Sequence, residues 1–122
     1  MGLDNYGESD MAFDAAWTAI DAMVKSLNKE LDTEEGNCYN TCGIINVAMF
    51  YEAFIIPNEN FRETYSDNSV YKLARKTLKK LEKKIKRDSK ANWGNDKEGR
   101  ASKKMHLNAY NRMAASLRSF IG

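Results

Sequence analysis

Apolar residues recur at three- and four-residue steps along four stretches of this chain. Phe13, Ala16/Trp17, Ile20, Val24, Leu27 and Leu31 form the first stripe, with Asp10, Asp14, Asp21 and Lys25 off it. The spacing predicts an amphipathic helix over 9–31. Ser9 suits its N-cap, and acids in the first turn suit the helix dipole. Thr33, Glu34, Glu35 and Gly36 predict a turn over 32–37. Residues 38–56 are the most hydrophobic stretch. Ile44/Ile45, Ala48/Met49, Glu52 and Ile55/Ile56 fit a mostly buried helix. The β-branched and aromatic content would also suit a strand, and the length of the stretch decides for helix. Pro57 ends it. Residues 58–66 suit a short helical turn that carries Phe61 and Tyr65 inward.

The third stretch, 67–90, is the most regular. Tyr71, Ala74, Leu78, Leu81 and Ile85 keep an a/d spacing, widened by Val70, Leu73 and Thr77. The stripe ends at Ile85. Residues 89–99 hold two Gly and two Asn and predict a loop. A final helix runs from about 101 or 102 to 120, with Met105, Ala109, Met113, Leu117 and Phe120/Ile121 as its core stripe. The expected fold is all-α, a single-domain bundle of four main helices with a basic helix-loop projection between the last two. Residues 1–122 fit one domain by size, and short connections favour antiparallel neighbours.

Composition supports this. Apolar residues make up 43% and aromatics 11%, enough for a packed core. One proline and seven glycines leave room for long helices. The longest apolar run, 43–57, is interrupted by Asn46 and Glu52 and is too short and polar to span a bilayer. The first residues carry acid and no apolar segment, so no secretory signal is read there. Tyr6 breaks the myristoylation pattern after Gly2. The expectation is a soluble, cytoplasmic protein without a membrane partner.

Charge changes the picture more. Residues 1–66 carry 12 Asp/Glu against 3 Lys/Arg, a net −9, and residues 67–122 carry 5 against 16, a net +11. The formal net charge of +2 hides this segregation. Fields of one sign recruit the other, so an acidic half and a basic half imply charged partners. On the third helix Lys72, Lys76, Lys80 and Lys84 form one i, i+4 column, and Arg75, Lys79, Lys83 and Arg87 form a second. Each like-charged pair costs roughly 0.2–0.5 kcal/mol, so six cost on the order of 1–3 kcal/mol unless neutralised. Lys86, Lys90, Arg100, Lys103 and Lys104 extend the track.

Three readings fit: a solvated face offset by the acidic half, a surface for a nucleic-acid backbone, or a surface for an acidic protein partner. About six phosphate contacts would give a log–log salt slope near −5. No DNA- or RNA-reading motif is present, so sequence specificity is not expected. Trp93, in a Lys- and Gly-rich setting, suits stacking on a base or plugging a partner's pocket, or else folding back to cap the core. Trp17 lies on a core stripe.

The acidic half offers the rival surface. Asp10, Asp14 and Asp21 on the first helix could act as a nucleic-acid mimic, as protein-directed inhibitors of the phage anti-defence type do by analogy. An acidic face meeting a basic face of another copy would give head-to-tail self-association. Catalytic and cofactor signals are weak. His106 is the only histidine, and nothing along the chain brings it to Cys38 or Cys42 as a nucleophile–base pair or a metal site. Both cysteines read as free thiols. Residues 88–99 resemble a calcium loop in composition only, with Lys90 at a ligand position. There is no phosphate-binding glycine loop. The expectation is a non-enzymatic binding protein with no cofactor and no metal.

Overall fold

A computed structural model of the protein describes residues 8–33, 42–58 and 68–122. Among the described residues the fold is an all-α bundle of four helices: α1 (Glu8–Leu31), α2 (Gly43–Phe50), α3 (Asn68–Lys90) and α4 (Lys97–Ile121). α2 runs on into one π-helical turn, Tyr51–Ile55. One core draws on every element: Ile20 and Leu31 from α1, Ile45, Val47 and Ala48 from α2, and Tyr51 and Ile55 from the π turn. Val70, Leu73, Ala74 and Leu81 come from α3, and Tyr110, Met113, Ala114, Leu117 and Phe120 from α4. No helix among the described residues is long and apolar enough to cross a membrane.

The helices alternate in direction. Asn28 accepts a hydrogen bond from Lys76 Nζ at 3.0 Å, and Asp32 meets Lys80 Nζ at 3.6 Å. Four residues along α1 therefore match four along α3, so these two helices are parallel. α2 turns back at Gly43, where a Cβ would overlap the Glu30 carbonyl oxygen. Only glycine lets the α2 start sit against the end of α1. Asn46 Nδ2 then donates to Glu30 Oε1 at 2.8 Å. α4 is antiparallel to α3: Tyr71 stacks on Phe120 at 4.8 Å at one end, and Lys84 lies 5.5 Å from the Tyr110 ring towards the other.

That register leaves an overhang at each end. With Asn28 level with Lys76, Ile20 is level with the first residue of α3. Residues 8–19 of α1 run past it, about 18 Å of helix. Residues 10–15 are all exposed, and from residue 10 onward Ile20 is the first buried side chain. At the opposite end α1 stops at Leu31, and α3 continues to Lys90 with the start of α4 alongside.

Several expectations are corrected in detail. α1 already includes Glu8 and Ser9, so Ser9 is a helical residue and not the N-cap. Phe13 is 43% exposed because it lies on the overhang. The second helix begins at Gly43 with Cys42 at the N-cap; Cys42 is buried, whereas Cys38 and the segment 58–66, apart from Asn58, lie outside the described residues. Within that helix Val47 and Tyr51 are buried and Met49 is 49% exposed. The π turn, closed by Ile56 N–H donating to the Tyr51 carbonyl at 2.8 Å, takes one more residue per turn than an α-helix. It keeps Tyr51 and Ile55 both inward, with Tyr51 Oη donating to the Val70 carbonyl at 2.7 Å. Glu52, in the same turn, pairs with Arg112 of α4 through two contacts of 3.0 and 3.1 Å. Those hydrogen bonds, then the carboxylate charge, raise the Arg112 pKa above its ordinary value.

α3 matches its predicted stripe: Val70, Ala74, Thr77 and Leu81 are fully buried. Thr77 meets the demand of burial by donating to the Leu73 carbonyl at 2.7 Å. The connection after α3 is shorter than the sequence predicts. α4 starts at Lys97, because Asp96 caps it by accepting from Gly99 N–H at 2.8 Å. On α4 the stripe is set by Tyr110, Met113, Ala114 and Leu117, which leaves Met105 63% exposed.

Candidate polyanion-binding surface

The two predicted columns of cations do not run straight. At 3.6 residues per turn, each i, i+4 step rotates a column about 40° around the helix. The first column therefore winds from solvent into the core. Lys72 is exposed, Lys76 and Lys80 are 43% and 38% exposed, and Lys84 is 8% exposed. Lys76 and Lys80 both meet Asp32 at the end of α1, at 3.8 and 3.6 Å. Lys84 leaves the surface altogether, which corrects its assignment as a binding residue. Its ammonium pairs with Asp88 at 3.0 Å, one turn on, and sits over the Tyr110 ring.

The second column stays outside. Arg75, Lys79 and Lys83 are exposed, and Arg87 ends the column 59% exposed with Asp88 at 3.3 Å. Lys86 and Lys90 are exposed beside it. Lys72, Arg75, Lys79, Lys83, Lys86 and Lys90 form no ion pair with any acid among the described residues. From α4, Arg100 and Lys104 are exposed and Lys103 is half-buried. Arg100 also donates to the Asn95 carbonyl, which ties it to the connecting loop.

Trp93 is turned into the hairpin. Its Nε1 donates to the Asp88 carbonyl at 2.8 Å, and its ring lies 5.3 Å from His106. His106 in turn meets Tyr110 edge-on at 6.1 Å. Its Nδ1 lies 2.7 Å from the Ser102 carbonyl, which can only accept, so Nδ1 carries the proton. Lys84, Asp88, Trp93, His106 and Tyr110 thus form one cluster that joins the ends of α3 and α4. A close approach completes it: a Cβ at Gly99 would overlap the Trp93 carbonyl oxygen. Cys42 lies elsewhere, at the start of α2.

On the acidic side, Asp10, Asp14 and Asp21 are all exposed. Phe13 meets Trp17 edge-on at 6.2 Å, and Trp17 is half-buried rather than a core residue. Sequence reasoning overlooked Arg118, which pairs with Glu82 across the α3–α4 groove at 3.1 Å. Its one signal was a cation in the last turn of the final helix. No protein-family model matches the chain, and no curated protein or solved structure matches it.

Proposed function

We propose that this is a non-enzymatic binding protein whose α3–α4 hairpin contacts a polyanion, a nucleic-acid backbone, by charge. The supporting observation is the exposed row Lys72, Arg75, Lys79, Lys83, Lys86 and Lys90, none of it ion-paired to a described acid. From Lys72 to Lys90 the row spans about 27 Å of helix, a little less than one turn of a duplex. Arg100 and Lys104 add cations from α4. The hairpin is a stiff support, since its tip is fastened by Lys84–Asp88 and by Trp93.

The same packing refines the mode of contact. With its indole N–H bonded to Asp88 and its ring against His106, Trp93 is not presented as a stacking platform. Phosphates, not bases, are the expected contact, so duplexes should bind at least as well as single strands. Fluorescence anisotropy with labelled duplex and single-stranded DNA and RNA, at several salt concentrations, tests this. About six contacted phosphates give a log affinity falling against log salt with slope near −5. Reversing Lys79, Lys83 and Lys86 to Glu should abolish binding. Salt-insensitive binding, or binding that survives the reversal, rules the proposal out. An acidic protein partner on the same cations would give no binding to either strand form but would still be lost in the reversal.

A second reading rests on the exposed acids of the α1 overhang. Asp10, Asp14 and Asp21 could enter a cationic cleft of a target protein, making this chain a protein-directed inhibitor or an assembly subunit. Substituting Asp10 and Asp14 would then abolish function while the lysine reversals are harmless.

A further inference from the structure

We infer that the α1 overhang docks on a second copy of this chain, in the groove between α3 and the end of α4. The inference rests on the acidic-arm reading and does not require polyanion binding, although Arg75 and Lys79 belong to both surfaces. The groove has a volume of about 260 Å³ and is lined by Arg75, Leu78, Lys79, Glu82, Arg118 and Ile121. Leu78 and Ile121 pack against the core and provide an apolar floor. Arg75, Lys79 and Arg118 form a cationic rim, and the one acid, Glu82, is already bridged to Arg118.

The overhang has the complementary pattern. Residues 8–21 carry four acids and no Lys or Arg. Met11 is 69% exposed between the exposed Asp10 and Asp14. Met11 and Asp14 lie three residues apart, on one side of the helix, so an apolar side chain and a carboxylate can enter one groove together. The apolar floor would receive Met11 and the cationic rim would receive Asp14. An arm in its own molecule's groove is excluded by register. The overhang extends away from the start of α3, along the α1 axis, while Asn28 and Asp32 fix α1 on the Lys76–Lys80 flank of that helix. The groove lies on the other flank, the one that borders α4.

A contact that buries one arm is small, so the expected Kd is tens of micromolar, and it is screened by salt. The test is sedimentation velocity on nucleic-acid-free protein at about 0.05 M and about 0.5 M salt, where the Debye length falls from above about 10 Å to below about 5 Å. Wild type should associate at low salt and be monomeric at high salt. The double variants Asp10→Lys/Asp14→Lys and Arg75→Glu/Lys79→Glu should each associate at least tenfold more weakly. Mixed together they should associate again, because each supplies the charge the other now lacks. Circular dichroism should show both variants as helical as wild type. A wild type that stays monomeric at low salt up to about 1 mM protein overturns the inference, being far above the expected Kd. So does a mixture that fails to associate. If the lysine arm is rescued by Arg100→Glu/Lys104→Glu and not by the groove variant, the arm binds the hairpin tip and the groove assignment is wrong. Asp10→Lys/Asp14→Lys leaves the lysine face intact, so DNA binding by that variant separates failure here from failure of the polyanion proposal.

Discussion

The two ends of this molecule are both helical overhangs, yet they are built differently. The basic end is a pair of helices fastened to each other. Lys84 is buried against Asp88, Trp93 is hydrogen-bonded to the same residue's carbonyl, and His106 and Tyr110 fill the space between. The acidic end is one helix past the start of α3, with residues 10–15 all exposed. Opposite charge is therefore carried on unlike supports. A stiff cationic hairpin can hold its charges in register with a long regular polyanion. A single amphipathic helix with exposed acids suits insertion into a groove.

Substitutions should expose that inequality. The largest effect is expected at the seated end of α1, far from the overhang. Leu31 is 2% exposed in the core, and Leu31→Ala should cost about 3 kcal/mol by cavity formation. Urea unfolding followed by circular dichroism measures it, and a cost below about 1 kcal/mol would mean that α1 is not seated as described.

Next is the hairpin tip. Asp88→Ala leaves the Lys84 ammonium buried without its 3.0 Å partner, which should cost about 2–3 kcal/mol. Restoring neutrality with Lys84→Met in the same chain should recover most of that loss. If the double variant is as unstable as the single one, the pair does not fasten the tip. Trp93→Ala should cost less, about 1–2 kcal/mol, because the ring is half-buried and keeps one hydrogen bond and one ring contact. At a temperature where the variant is folded, its affinity for duplex DNA should match wild type. A tenfold loss of affinity with unchanged stability would instead identify Trp93 as a contact residue.

Much of this was legible in the residues and some was not. The stripe of α3 was readable because seven apolar positions and Thr77 kept one spacing over about four turns, and the structure turns that face to the core. The loss of Lys84 was readable in principle, since the rotation of an i, i+4 column follows from 3.6 residues per turn alone. It becomes evident once the column is drawn around the helix instead of along it. The start of α4 was signalled by Asp96 with Gly99 three residues on, a cap that two asparagines and two glycines obscured. The π turn had no such signal, since an α-helical turn would also place Tyr51 and Ile55, four residues apart, on one side. The overhangs were hidden for another reason. Periodicity says which face of a helix is apolar but not how far its neighbours extend. Phe13 and Met105 therefore look like core from their spacing, and both are exposed.

The smallest effect is the most diagnostic for the acidic end. Met11 is 69% exposed, so Met11→Ser should change the stability of the monomer by less than about 0.5 kcal/mol. The same substitution removes the apolar group between Asp10 and Asp14, and with it the part of the arm that fits the Leu78–Ile121 floor. Self-association at low salt should then weaken severalfold while thermal unfolding in high salt, where the chain is monomeric, stays unchanged. An equal loss in both measurements would make Met11 part of the fold rather than part of an interface. The acidic end would then be a stabilised overhang and not an arm.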